Sequence, residues 1–336
     1  MPPLTSDQII LFQKEMYPVM NEEYKSKATK FQEIYRLKTD ATGAGDKFTQ
    51  ILGADKFRQK STQGQGFQFR SPVQGWTTLV AYQTFFDAVK FDKEEVEDNV
   101  KNGEIGSTLK NYAATWGEAY RITKEEYAAA FFIQGGYTTG DIIFNGSWGG
   151  NTASNGNYLY DGKPFFNLTG NTRTAKDQST YYNARTTTAL NEANFGTLYD
   201  LMAVTNAKTE IGTPMENKPN MILTQEGSDY RAAWKIINTS GQNQSMPGAD
   251  INDRNPWEGK LRVMDWWALS GGAWYVLEAK AKELQFDDRQ KPVIEFYRNK
   301  ETRGYMATVD TRFGVHLKPG AWKKVARDGG SYAASG

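Results

Sequence analysis

The fold of this chain is decided by residues 105–132, which read IGSTLKNYAATWGEAYRITKEEYAAAFF. Steps of three and four separate most of their apolar or large residues, which are Leu109, Tyr112, Ala113, Trp116, Tyr120, Tyr127, Ala130 and Phe131. This spacing places them on one side of an α-helix, because the helix repeats every 3.6 residues. We expect the remaining surface to carry Lys110, Glu118, Arg121, Lys124, Glu125 and Glu126. The stretch predicts one helix of about 28 residues and about 40 Å, with a core-facing stripe that includes Leu109, Trp116 and Tyr120.

Composition limits the class of protein. A chain of 336 residues is long enough for about two domains. Its 40 basic and 39 acidic residues give a net charge of +1, which argues against a protein whose main task is to grip nucleic acid. There is no cysteine, so disulfides and thiolate metal sites are excluded.

The sequence offers little chemistry for a catalytic or metal site. His316 is the single histidine, so it alone could supply the base of a Ser-His-Asp arrangement, and a structural role is favoured. Residues 250–255 begin like a calcium loop, but Arg254 stands where a ligand is needed. The acidic pairs Glu125-Glu126 and Asp287-Asp288 are interpreted as solvated. We therefore expect no catalytic, cofactor-binding or metal-ligating residue, no cofactor, no secretion signal and no membrane span.

The residues before the long helix predict an arm and a ribbon. Residues 7–37 form an amphipathic pattern in which Pro18 is expected to end or kink a helix near Tyr17. After a connector at residues 39–45, residues 63–70 and 77–86 read as extended strands on either side of a turn. A two-stranded ribbon has almost no core, so it must lie on another surface. The residues predicted to make that contact are Phe67, Phe69, Arg70 and Trp76.

The residues after the long helix predict a mixed α+β region and a closing hairpin. Helical spacing recurs at residues 188–205 and 227–238, and short strands are predicted at 220–224, 261–265 and 273–277. Residues 291–298 and 305–310 alternate as the two strands of a hairpin, followed by a further extended stretch at 312–317. Trp257, Trp266, Trp267 and Trp274 are compatible with sugar stacking or with packing in a strand core.

The order of these elements resembles the major capsid proteins of tailed bacteriophages, whose fold is shared with encapsulin nanocompartments. Residues 91–98 are similar to the approach to the spine helix of that family. The stretches 161–166, 219–223 with 230–238, and 263–265 with 274–277 resemble its "DG…LF" turn, its axial strand and helix, and its strand pair ending in "WYL". Residues 292–295 and 312–315 resemble the last hairpin and its "R-x-G-V/A" close. A "T-x-H" element expected after the "DG…LF" turn is absent, and residues 167–170 read NLTG there.

The resemblance implies a tailed-phage capsid fold of the α+β class with four parts. These are an N-terminal arm (1–55), an extended β-ribbon loop (56–90), a peripheral domain with the spine helix (91–139 and 284–336) and an axial domain (140–283). It implies a structural protein of the virion, assembled in the host cytoplasm, whose pentamers and hexamers form an icosahedral shell around double-stranded DNA without sequence-specific binding. Its implied partners are itself, a portal and a scaffold or decoration protein, and the arm and ribbon are expected to lie across neighbouring subunits.

Two alternatives stay open from the sequence. An encapsulin shell has the same fold but carries protein cargo instead of a genome. A carbohydrate-binding or carbohydrate-cleaving β-rich protein would explain the high content of Trp and Asn.

Overall fold

The computed structural model describes residues 6–43, 45–52, 57, 69, 71, 73–94, 96, 106–134, 163, 165–170, 172–186, 189–238, 255–298 and 304–330. Its α-helices are α1 Ser6–Lys25, α2 Phe31–Ile34, α3 Ser107–Gln134, α4 Glu192–Asp200 and α5 Ser228–Asn238. A π-helical turn, Leu201–Thr205, follows α4, and a 3-10 helix spans Ala321–Lys324. Within these described ranges, no helix combines the length and the apolar character that a membrane span requires.

Most of the strands belong to two four-stranded sheets. In chain order the strands are β1 Arg36–Lys38, β2 Gly45–Leu52, β3 Val73–Ala81, β4 Gln83–Phe91, β5 Arg173–Thr174, β6 Thr180–Tyr181, β7 Met221–Thr224, β8 Arg262–Asp265, β9 Ala273–Leu277, β10 Leu284–Arg298, β11 Tyr305–Leu317 and β12 Val325–Gly329. The first sheet has the order β1-β10-β11-β4, and the second has the order β12-β9-β7-β8. β2 with β3, and β5 with β6, form separate two-stranded sheets.

Helix α3 is the predicted long helix, and its 28 residues link two parts of the core. Its N-terminal half buries Leu109, Ala113 and Trp116 in a cluster with α1 and the hairpin of β10 and β11. The C-terminal half, residues 127–132, is buried in a second cluster that also contains Leu223 and Tyr275 of the second sheet. Tyr120 is only partly buried and packs against both clusters. The helix therefore holds both sheets in one subunit.

Helix α1 runs through Pro18, so the proline does not end the helix near Tyr17, which was one of the two outcomes predicted from the sequence. Phe12, Met16 and Met20 lie on both sides of the proline and are buried against α3 and β10. This packing overrides the low helix propensity of proline, as tertiary contacts often do. The arm was expected to lie on a neighbouring subunit. Its helix α1 instead packs on α3 of its own chain.

Several strands pair differently from the prediction. The ribbon is formed by β2 and β3, whereas residues 63–70, apart from Phe69, lie outside the described residues. The predicted strand 77–86 divides at Tyr82, so that β3 belongs to the ribbon and β4 pairs with β11 in the first sheet. β12 pairs with β9 of the second sheet, although its residues were assigned to the peripheral part. These differences arise because short strands take their partners from tertiary packing rather than from local sequence.

Candidate functional site

Exposed apolar side chains lie near the far end of the ribbon of β2 and β3. The register of the ribbon runs from Gly45 opposite Ala81 at the base to Leu52 opposite Val73. Ile51 is 76% exposed, and Phe69, beyond the last strand pair, is 94% exposed. Because burial of apolar side chains drives association, the far end of the ribbon is our candidate site for binding another chain.

The four residues predicted to make this contact do not share one environment. Phe67 and Arg70 lie outside the described residues, and Phe69 is exposed. Trp76 instead contacts its own chain. Its Nε1 donates to Glu210 Oε2 at 3.1 Å, and the Lys176 ammonium lies 3.8 Å from the centre of its ring. The contacts of Trp76 therefore tie the ribbon to the body of the same subunit.

A buried polar cluster lies at the base of the ribbon, where β2 meets β10 and β11. Asp287 Oδ2 accepts a hydrogen bond from the Tyr82 hydroxyl at 3.2 Å, and Asp287 Oδ1 accepts one from Gln285 Nε2 at 2.5 Å. Nδ1 of His316 lies 3.1 Å from Asp287 Oδ2, and its ring stacks on Tyr82 at 5.1 Å. A carboxylate oxygen of Asp46, on β2, lies within 4.8 Å of side-chain atoms of both Asp287 and His316. The cluster connects the ribbon to the first sheet.

Gly314 lies beside the two rings of this cluster. It is directly opposite Asp287 in the register of β10 and β11. A Cβ at Gly314 would lie 3.4 Å from His316 Nε2 and 3.4 Å from Tyr82 Cδ1, in van der Waals contact with both rings. The two rings therefore pack closely against the backbone of β11.

Burial determines the charge state of the cluster. The His316 side chain has no exposed surface, and this burial lowers its pKa even though Asp287 and Asp46 act in the opposite direction. Burial also raises the pKa of Tyr82, with further contributions from Asp287 and Asp46. The cluster therefore contains a neutral imidazole and a neutral phenol at ordinary pH. Since no substrate can reach a ring without exposed surface, the arrangement does not have the access that a catalytic base requires.

The spine helix buries charges that the sequence placed in solvent. Lys124, only 1% exposed, bonds to Asp288 Oδ1 at 2.7 Å and lies 4.4 Å from the ring centre of Tyr120. Burial lowers the pKa of Lys124, while Asp288 acts to raise it. The prediction that this face is solvated was wrong for Lys124 and Glu125, because their partners come from distant parts of the chain. It was also wrong for Arg121, which is buried although it pairs with the nearby Glu118.

Glu125 joins three elements of the subunit. Its carboxylate, with no exposed surface, accepts from the backbone N–H of Lys30 at 2.5 Å and of Phe31 at 3.3 Å, at the start of α2. It also accepts from Trp266 Nε1 at 2.7 Å. Burial raises the pKa of Glu125, and the three N–H donors offset that effect only in part. The Glu125 carboxyl thus connects α3 to the start of α2 and to Trp266, which follows β8 of the second sheet.

The tryptophans do not form an open binding face. Trp266 and Trp274 are fully buried, and the half-buried Trp257 packs against Phe195 and Tyr199. Trp267 is the most exposed of the four, at 42%. Sugar recognition usually needs a ring face in solvent, so strand-core packing explains this group better.

Sequence reasoning missed the polar cluster because its members are far apart in the chain. Asp46, Asp287 and His316 come from three strands, and no local spacing connects them. The available signal was the pair Asp287-Asp288, which was interpreted as solvated, although Asp287 has no exposed surface. Residues 250–254 of the calcium-like stretch lie outside the described residues.

Comparison with known proteins gives a match only at the level of structure. No family model matches the sequence, and no curated protein matches it. The chain is similar to the capsid of Myoviridae phage XM1, with 8% identity, a TM-score of 0.52, and coverage of 91% of this chain and 92% of that chain. The capsid of cyanophage P-SCSP1u has 12% identity, a TM-score of 0.49, and coverage of 91% and 89%. The holo-SrpI encapsulin complex from Synechococcus elongatus has 9% identity, a TM-score of 0.44, and coverage of 88% and 84%.

Proposed function

We propose that this chain is a major capsid protein that assembles with copies of itself into an icosahedral shell around double-stranded viral DNA. The observation that carries the proposal is the fold, which the chain shares with the XM1 phage capsid over 91% of its own length and 92% of that chain. The match extends over nearly the whole of both chains.

The geometry of the ribbon supports assembly. β2 and β3 pair only with each other within the described residues, and a two-stranded ribbon is marginally stable alone. Its apolar side chains Ile51 and Phe69 are uncovered in the single subunit. A neighbouring copy that covers them would remove this apolar surface from water, which is the main driving force of association. We therefore assign the inter-subunit contact to the far end of the ribbon, including Phe67, Phe69 and Arg70.

The rest of the proposal follows from the same fold. The region of the second sheet meets its copies in pentamers and hexamers, and α3 stiffens the subunit between them. The protein works as a structural part of the virion, without catalysis and without a cofactor. A net charge of +1 suits a shell that encloses DNA without sequence-specific binding. Portal and scaffold or decoration proteins are its further partners, and assembly takes place in the host cytoplasm.

Purified protein tests the proposal directly. Size-exclusion chromatography with light scattering should detect pentamers, hexamers or closed shells, and electron micrographs should contain particles of uniform size. A stable monomer under all assembly conditions would contradict it. Particles from the natural source should protect double-stranded DNA from nuclease, whereas protein cargo in place of DNA would identify an encapsulin-type shell instead.

A further inference from the structure

Three side chains able to bind a metal converge at the base of the ribbon. Asp46 lies on β2, Asp287 on β10 and His316 on β11, and one ligating atom from each lies within 4.8 Å of the other two. We propose that these residues bind one divalent transition-metal ion, such as Zn²⁺, between the ribbon and the first sheet. The proposal does not depend on the assembly function.

The second observation is the state of His316. The side chain is completely buried, yet neither ring nitrogen has a hydrogen-bond partner within the described residues. Nδ1 lies 3.1 Å from Asp287 Oδ2 without the alignment of a hydrogen bond. Buried polar atoms in folded proteins nearly always have a partner. A bound cation would supply that partner to one nitrogen.

The ligand set indicates the kind of ion. Imidazole nitrogen with two carboxylate oxygens is typical of Zn²⁺, Mn²⁺ and Co²⁺, whereas Mg²⁺ and Ca²⁺ prefer oxygen ligands alone. Asp287 is oriented by Gln285 and Tyr82, which donate to its two oxygens. Outer hydrogen bonds of this type commonly fix the carboxylates that bind metals.

Binding requires a small rearrangement. Ligand atoms around a tetrahedral ion with bonds of about 2.1 Å lie about 3.4 Å apart, so the widest pair here must close by up to about 1.4 Å. Lys38 already interacts with the Asp46 carboxylate, because its Nζ lies 2.9 Å from Asp46 Oδ2. Both side chains are partly exposed and can move. Lys38 is therefore a competitor of the metal for Asp46.

This competition gives the proposal a sharp test. Full-length protein is dialysed against Zn²⁺, the bound metal is measured, and affinity is determined by calorimetry. We expect about one Zn²⁺ per wild-type subunit. Asp46→Asn should lower the affinity at least about tenfold, because it removes one charged ligand. Lys38→Met should raise the affinity, because it removes the competing cation. Glu295→Gln, an exposed carboxylate on β10, should change nothing.

The same measurements can overturn the proposal. It fails if the wild-type protein binds no zinc, if Asp46→Asn binds zinc as tightly as wild type, or if Lys38→Met binds no more tightly. Co²⁺ replaces Zn²⁺ in a second measurement, in which the wild-type protein should produce the intense visible absorption bands of tetrahedral Co²⁺, and His316→Gln should weaken or shift them. Unchanged bands in His316→Gln would place the ion elsewhere. Asp46 is partly exposed, so Asp46→Asn keeps the test valid even if His316→Gln does not fold.

Discussion

At the scale of single residues, Gly117 sets how closely the two long helices approach each other. A Cβ at this position would collide with the backbone oxygen of Met20 in α1, and it would lie 2.9 Å from Glu23 Cβ and 3.1 Å from Tyr24 N. Because two backbones cannot easily separate without disturbing the packed residues between them, we predict that Gly117→Ala lowers the free energy of unfolding by about 1–3 kcal/mol. Urea denaturation measures this change.

Gly196 in α4 is the matched control for Gly117. It is also a helical glycine, but a Cβ there would meet only Trp257, at 3.9 Å. Alanine favours a helix over glycine by up to about 1 kcal/mol. Gly196→Ala should therefore be neutral or stabilising. Equal losses in the two variants would show that the approach of α1 and α3 is not the cause.

Glu125 predicts a dependence of stability on pH. Its pKa in the folded protein is raised above the ordinary value of 4.5 by burial. The folded state therefore holds the proton more tightly than the unfolded state, so the contribution of this group is fully present below the unfolded pKa and is lost as pH rises through the folded pKa. As the pH is lowered from neutral to about 4.5, the free energy of unfolding of wild type should therefore rise relative to that of Glu125→Gln.

Unfolding of both proteins by urea across this pH range measures the difference. Glu126→Gln is the control, because Glu126 is the neighbouring residue and is exposed. Its difference from wild type should not follow the same pH course. If the difference between wild type and Glu125→Gln stays constant with pH, the carboxyl does not titrate in this range.

At the scale of elements, substitutions on the buried face of α3 should destabilise the protein, and substitutions on its exposed face should have little effect. Trp116 is buried in the cluster with α1, and its Nε1 donates to Asp87 Oδ2 at 2.7 Å. Trp116→Ala should cost about 3–5 kcal/mol, because it leaves a large cavity. Glu118 pairs with the exposed Lys27 and with Arg121, so Glu118→Ala should cost less than about 1 kcal/mol. Similar denaturation midpoints would contradict the assigned face.

The sequence predicted the existence of α3 well and its charges poorly. Period 3.6 is a local property, so the stripe of Leu109, Ala113 and Trp116 could be found without knowing what covers it. The burial of Lys124 and Glu125 depends on Asp288 and Trp266, which are more than 140 residues away in the chain. No pattern within the helix contains that information.

At the scale of the whole molecule, the ribbon should be needed for assembly and not for folding. The register ends with Leu52 opposite Val73, so a short Gly-Ser turn can replace residues 53–72 and keep the described pairing. We predict near-native circular dichroism and one cooperative melt for this variant, but no closed particles in electron micrographs. A Gly-Ser insertion after Gly170, whose surroundings are open, is the control and should leave folding unchanged. Normal particles from the shortened chain would show that residues 53–72 do not make the assembly contact.

The order of elements was predictable, whereas several of their partners were not. The hairpin of β10 and β11 was found from its alternation, and the strands β7, β8 and β9 from short apolar runs. β2 and β12 were missed, because the polar residues in both sequences do not indicate a strand. Their strand structure depends on pairing with β3 and β9 in the folded chain. The same separation in the chain concealed the cluster of Asp46, Asp287 and His316.

The single residue between β3 and β4 makes the ribbon a lever. Tyr82 alone separates a strand of the ribbon from an edge strand of the first sheet. Nine residues of β3 at about 3.3 Å each span about 30 Å, so a rotation of about 10° at Tyr82 displaces the far end by about 5 Å. The contacts of Trp76 with Glu210 and Lys176, in the middle of β3, therefore decide where the far end of the ribbon lies, because any change of angle at Tyr82 is multiplied by the length of the strand.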